Sequence, residues 1–374
     1  MHYFEFSNKD TTIYEQSSSL NAGLDEILEI RKDVSQTGAT VDVSRILIKF
    51  NLGYISSSIV SGLIPEPSKT TRRGSRYYLN LYDAKSTGLA VSQSIYANPI
   101  SGSWTMGGGH SYDNPITKEG ASWTYRHGET DGGLWTAVSA SGGQWYSGSG
   151  FQEHFGFDHK TTDVRMEVTD IVNNWLSGSI PNEGFMVKRS GSVGNAHTGS
   201  DEGSTERYGN LTFFSSDTHT KYPPTLEVVW DDSKWNTGSL SALSQTNLED
   251  MVVYMKGLRP EYKEKSKARF RVVGRERFPD KTYSTTPSNL TVKYLPSGSS
   301  YYSITDAETE DVVVPYGTGS LLSCDSTGNY FNLWLDGYQP ERYYTLKYRV
   351  VSGSGTVDET DQYFEEGFTF KVTL

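Results

Sequence analysis

Apolar and polar residues alternate in short runs along most of the chain, and nearly every run is closed by Gly, Ser or Pro. In Arg45–Asn51, Ile46, Ile48 and Phe50 alternate with Leu47, Lys49 and Asn51. Ile27–Arg31, Tyr77–Tyr82 and Val91–Tyr96 have the same texture, and Gly184–Lys188, Leu211–Phe214 and Thr225–Trp230 follow later. Successive side chains of a strand point to opposite faces, so these runs predict half-buried β-strands joined by tight turns. One stretch breaks the pattern. In Val168–Ser177, Ile171, Val172, Trp175 and Leu176 fall on one face of a helix, with Thr169 placed to cap it and Gly178 to end it. It is the one short helix expected.

The alternation lapses twice. Residues 100–160 are dense in Gly, Ser and Trp, with Trp104, Trp123, Trp135 and Trp145 set among Gly107–Gly109, Gly132–Gly133 and Gly142–Gly143. A loop this long is uncommon in a compact domain, and its aromatics argue against disorder, so an ordered, Trp-anchored surface excursion is expected. Residues 233–249 are rich in Ser, Asn and Thr and read as a linker. Beyond them, Met251–Lys256, Ala268–Val273, Leu290–Tyr294, Asp311–Val314, Tyr330–Leu335, Tyr343–Val350 and Phe368–Val372 predict a second set of strands. The expected architecture is all-β: a sandwich over residues 1–232 that carries the excursion and the helix, the linker 233–249, and a smaller immunoglobulin-like sandwich over 250–374.

Composition agrees. At 374 residues the chain is long enough for two such domains, and its 25 Tyr, 8 Trp and 37 Gly supply pleated faces and turns. The net charge of −11 argues against sequence-independent binding to nucleic acid. About −9 of it lies in residues 1–232 and about −2 in the remainder, so head-to-tail contacts between copies are electrostatically sensible. Cys324 is the sole cysteine; no intrachain disulfide can form, and a reducing compartment fits. The first residues show no signal-peptide pattern, and no apolar run approaches a membrane span. The expectation is a soluble protein made in a cytoplasm, without a membrane partner.

Candidate chemistry is sparse. No phosphate-binding Gly-rich loop and no dinucleotide fingerprint is present, and no catalytic residue, cofactor or metal site is assigned. His154 and His159, beside Asp158, have a metal-like spacing, but residues five apart on a strand face opposite sides, so surface histidines are expected, as for His110 and His127. Glu119, Glu129, Asp131 and Glu153 lie near tryptophans, the material of a sugar site or of a protein interface. Cys324 has no His within 250–374 to activate it and reads as a structural thiol. The single basic concentration is Lys263–Arg271. With Lys265, Lys267, Arg269 and Arg271 on one face of a strand, it is either a charged edge that resists aggregation or a dock for an acidic neighbour. Trp104, Trp123, Trp135 and Trp145 are the aromatic candidates for a binding surface.

The order and spacing of several short motifs add a likeness over residues 8–232. Asp10-Thr11-Thr12-Ile13-Tyr14, Asn21-Ala22-Gly23, Ser44–Leu52, Gly120-Ala121-Ser122-Trp123, and Val168–Gly178 followed by Asn182-Glu183-Gly184-Phe185 together resemble the DNRLRE-type domain. The resemblance implies a jelly-roll-like sandwich of the kind carried by extracellular bacterial proteins, where some relatives bind carbohydrate. Those relatives normally have a signal peptide and sit in long modular proteins, which this chain does not match. The combination, with Tyr222–Val228 and Ser323–Phe331, looks similar to virion structural proteins of tailed bacteriophages. That likeness implies a non-enzymatic component of the neck or collar, tail or baseplate, assembled in the host cytoplasm as a homo-oligomeric ring. Its partners would be other virion proteins, with no cofactor. The alternatives are a carbohydrate-binding attachment module using the four tryptophans, a capsid decoration protein, and a glycan-degrading enzyme using the carboxylates.

Overall fold

The computed structural model describes all residues except 36–40, 91, 136–140, 159–161, 192–200, 244–250, 279–282, 284–291 and 353–359. Two compact units are present. The N-terminal unit is Glu5–Thr71 with Ser75–Val228; the C-terminal unit is Met1–Phe4, Arg72–Gly74 and Val229–Leu374. The fold is nearly all β, as the alternation predicts.

In the N-terminal unit the elements run β1 (His2–Tyr14), β2 (Ile27–Val34), β3 (Val41–Phe50), α1 (Gly53–Val60), β4 (Arg76–Leu81), β5 (Ser92–Pro99), β6 (Glu153–Asp158), β7 (Val164–Glu167), α2 (Thr169–Leu176), β8 (Phe185–Lys188), β9 (Gly209–Phe214) and β10 (Thr225–Val229). The first four residues of the chain belong to the other unit, and β1 enters this one at Glu5. The strand order is β6-β5-β8-β3-β1-β10-β4-β7, with β2 pairing β3 and β9. β3 is central: it pairs antiparallel with β1 through Thr11↔Leu47 and Tyr14↔Ser44, and with β8 through Ile46↔Val187. Every residue from Val43 to Ile48 is buried, so both faces of β3 are covered.

Two expectations need correction here. Among its described residues the unit holds two helices, since α1 was not foreseen: Gly53–Val60 has little apolar periodicity, burying only Ile55 and Ser58. And α2 is not capped by Thr169. Its N-cap is Val168, with no side-chain cap bond. The Thr169 hydroxyl is used elsewhere, accepting from Tyr77 N–H at 3.0 Å and donating to Glu167 at 3.2 Å. The apolar face of α2 is as read, with Ile171, Val172 and Trp175 buried. Asn182–Phe185 then turns the chain into β8. Asn182 donates to Phe50 O at 3.0 Å and accepts from Gly184 N–H at 3.1 Å. Gly184 has φ +93, and a Cβ there would lie 2.3 Å from Ile48 O, so only glycine fits.

The C-terminal unit contains β11 (Met251–Lys256), β12 (Glu261–Lys263), β13 (Lys267–Glu276), β14 (Ser300–Asp306), β15 (Val312–Val314), β16 (Ser323–Asp325), β17 (Gly328–Trp334), β18 (Tyr343–Ser352) and β19 (Thr360–Thr373). They form a four-stranded sheet, β11-β13-β17-β16, and a five-stranded sheet, β12-β19-β18-β14-β15. Inward residues of both sheets build one core. Phe331 of the first sheet stacks on Phe270 of its own sheet and on Tyr302 of the other, with ring centroids 5.2 and 4.1 Å apart. Phe370 closes on Phe270 at 5.2 Å. Each such ring contributes on the order of 2–3 kcal/mol by burial. Part of the expected linker is packed into this unit. Trp235 bridges to Cys324, Ala242 bridges to Tyr294, and Leu243 is buried in the core; residues 244–249 lie outside the described residues. In the expected strand Leu290–Tyr294, residues 290 and 291 also lie outside them, and Lys293 and Tyr294 make isolated bridges.

Candidate interaction surface

The four tryptophans are not a surface. Trp104, Trp123 and Trp135 are 1–2% exposed and Trp145 is 8% exposed. They form a core with Ile13, Val43, Leu47 and Met186 on one face of β3. A ring so enclosed has no face to offer a sugar, which corrects the expectation for all four. The indole N–H groups confirm a structural role: Trp104 donates to Glu183 O and Trp135 to Ser122 O, both at 2.8 Å.

Asn21 ties the excursion down. It is fully buried, donates to Met106 O (2.7 Å) and Ala121 O (2.9 Å), and accepts from Gly23 N–H (3.3 Å) and Gly109 N–H (2.9 Å). Gly107 faces this amide, and a Cβ there would come within 2.3 Å of its oxygen. The glycine density thus reflects close backbone packing around one side chain.

Against the tryptophans lies a buried ionic group that the sequence did not reveal. Arg45 and Glu202 are both essentially inaccessible and pair at 2.6 and 3.0 Å. The guanidinium lies 4.8 Å from the Trp123 ring and 5.1 Å from the Trp145 ring, and also donates to Gly142 O. Lys188 sits 4.6 Å over Trp145, donating to Arg189 O (3.1 Å) and Gly191 O (3.0 Å). Burial pushes its ammonium down to about 8; Glu202 opposes this and Arg45 adds to it. Arg189 donates to Gln93 at 2.7 Å, and burial likewise lowers it, to about 10. These charges are enclosed and serve the core.

The basic strip is where a surface remains, but its geometry differs from the expectation. β13 is an interior strand, flanked by β11 and β17, so it is not a protected edge. Lys265 lies in a turn at φ 55, before the strand begins, and pairs with Glu264 at 3.0 Å. Lys267, Arg269 and Arg271 do share a face, and lie across from Trp334, Asn332 and Tyr330 of β17, of which Trp334 and Tyr330 are buried. Lys267 lies 5.0 Å over Trp334, and Arg269 lies 4.2 Å over Tyr330 while donating to Asn332 at 3.1 Å. Arg271 forms a two-pronged pair with Asp325, both bonds at 2.9 Å. These bonds hold the Asp325 carboxyl well below the usual range. Lys256 of β11 stands opposite Arg271 and is exposed. Burial lowers the Lys267 ammonium and Asp232 opposes the shift, while Lys234 and Arg269 push it further down. Asp325 lies 2.9 Å from Arg271 and 4.0 Å from Arg269, so Lys256 and Lys267 are the cations of this face that Asp325 does not answer.

The remaining candidates do not converge. Glu129 pairs with Lys118 at 2.7 Å, Glu153 with Lys69 at 2.5 Å, and Glu119 accepts from Thr130. His127 bonds Thr105 at 2.9 Å, and His154 lies beside Tyr96; His159 lies outside the described residues. Among the described residues no group of three or more His, Cys, Asp or Glu is arranged to hold a metal. Cys324 is buried, and burial with Asp325 pushes its thiol up to about 11, so it is a poor nucleophile. A polar cleft of about 410 Å³ in the N-terminal unit is lined by Arg31, Asp33, Asp42, Arg207 and Asn210 among others. Its charges are paired, Arg31 with Asp42 and Arg207 with Asp33, each at 3.2 Å. Its residues are scattered along the chain, with no motif to announce them. No protein-family model matches the chain, and no curated protein matches it.

Proposed function

We propose that the chain is a non-enzymatic structural component of a tailed-bacteriophage particle, in the neck or collar, tail or baseplate, present in several copies and docking neighbouring virion proteins. On this reading the N-terminal unit is a DNRLRE-like jelly-roll scaffold and the C-terminal unit an immunoglobulin-like docking module. The observation that carries the reading is the outer face of β13 and β17. Lys267, Arg269 and Arg271 share one face of an interior strand; Arg271 is answered by Asp325, while Lys267 and Arg269 lie over aromatic rings and stay exposed. Side chains fixed on a sheet lose little freedom on binding, which favours durable assembly contacts. The competing glycan reading through the tryptophans loses its platforms, because all four rings are buried.

The test is charge reversal in the phage that encodes the protein. Lys267→Glu with Arg269→Glu should leave the purified chain folded, with an unchanged melting curve, and yield particles that lack it or stall in assembly. Normal particles carrying the doubly reversed chain would return the strip to a role in solubility.

A further inference from the structure

The basic face has a counterpart at one end of the N-terminal unit. Leu24, Tyr112 and Ile116 are exposed there, at 37%, 78% and 44%. They belong to one loop cluster. Leu24 N–H donates to Gly109 O and Asn21 N–H to Thr117 O, each at 2.9 Å, and His110 stacks on Tyr112 with centroids 4.9 Å apart. Exposed Glu26 stands two residues from Leu24, and its carbonyl accepts from Ser215 N–H at 3.0 Å, which brings the half-buried Asp217 alongside. Asp25 is buried, 3.7 Å from the His110 ring. Among the described residues of this unit, buried Lys and Arg number four and buried Asp and Glu number four, Asp25 among them. The surplus acid of residues 1–232, about −9, is therefore carried at the surface.

We propose that the basic face of the C-terminal unit in one copy docks on this apolar patch of a second copy, head to tail. The inference rests on the assembly reading above and names one of its partners. Arg269 lies 4.2 Å over the Tyr330 ring and is half exposed, and Tyr112 of the second copy supplies a further ring. Glu26 of the second copy meets Lys256 and Lys267. The apolar centre gives the contact a dry core, and these charges give it register and speed of encounter. Two unlike surfaces meet, so the contact is heterologous: it closes into a ring where the rotation permits and otherwise grows open-ended.

The experiment is sedimentation velocity of the full chain at about 50 mM and about 500 mM salt, which shortens the screening length from over ten ångströms to a few. Association at low salt and monomer at high salt are expected. Lys267→Glu with Arg269→Glu should give a monomer at both. So should Glu26→Lys with Tyr112→Lys, a pair of exposed changes that leaves the core untouched. Mixing the two reversed chains should restore association, since each surface again meets its opposite. A wild-type chain that stays monomeric at low salt at every concentration overturns the proposal, as does a mixture that fails to associate. Either failure leaves the assembly reading intact where the protein is found in purified particles; absence from particles removes that reading and leaves the self-association result standing.

Discussion

The two units solve the same problem with different cores. In the N-terminal unit, the face of β3 toward the tryptophans encloses an ion pair, Arg45 with Glu202, and further buried cations at Lys32, Lys188 and Arg189. In the C-terminal unit, aromatic rings from two sheets meet in stacked, tilted and edge-on pairs, and among the described residues no Lys or Arg is buried. In the first core Arg45 is answered by Glu202, and Lys32, Lys188 and Arg189 by carbonyl or amide oxygens; removing such charges from water is costly unless they are answered. The second is held by area, which tolerates loss in proportion to what is removed. A substitution that breaks a match should therefore act all at once in one unit, and a truncation should act by degrees in the other.

The sharpest break is Glu202→Gln. It leaves the Arg45 guanidinium buried without its counter-charge, and the N-terminal unit should lose about 3–5 kcal/mol. Denaturant unfolding followed by tryptophan fluorescence would measure it, and Arg45→Met with Glu202→Leu should recover most of the loss. A double variant no better than the single would show that the cost is not electrostatic. In the other core, Phe331→Ala should cost about 3–4 kcal/mol and Phe331→Leu about 1–2 kcal/mol, a graded response with no rescuing partner. Equal losses for the two would contradict the area account.

A smaller effect depends on pH. Asp10 is buried, accepts from Ser216 N–H at 2.9 Å and Ser7 at 3.0 Å, and its second oxygen has no partner among the described residues. Burial pushes this carboxyl up to about 6, against the donors that favour its charge. The folded state holds the proton more tightly than the unfolded state, so the contribution is full below the ordinary value of 3.8 and is lost as pH rises through about 6. Asp10→Asn should therefore stabilise the N-terminal unit by up to about 2–3 kcal/mol at pH 7.5, and the gain should vanish near pH 4. A constant gain across that range would place the cause elsewhere. Smallest of all, Lys267→Ala should change stability by less than about 1 kcal/mol, because an exposed cation adds little to its own fold.

The sequence made the β class legible because its strands alternate, and α2 because Ile171, Val172 and Trp175 share a face. β3 was read as a strand, but its mixed pattern concealed that the tryptophan excursion covers its second face. From one chain, an enclosed Trp and an exposed Trp look alike: exposure is set by Asn21 and its glycines, far away in sequence. The Arg45–Glu202 pair spans 157 positions, with no local signal. The basic strip was visible as a run of charge, but sheet order decided that Lys265 falls off the face and that β13 is interior. The apolar patch could not be read at all, because Leu24 and the loop of Tyr112 and Ile116 are brought together only by loop packing.

The most direct test of the central claim is the amount of this chain in purified, infectious particles after a high-salt wash, measured by quantitative mass spectrometry against the major capsid protein. The account predicts a fixed whole-number copy count that matches the symmetry of one ring of the neck, tail or baseplate. A chain absent from such particles, or present in trace and variable amounts, would contradict it.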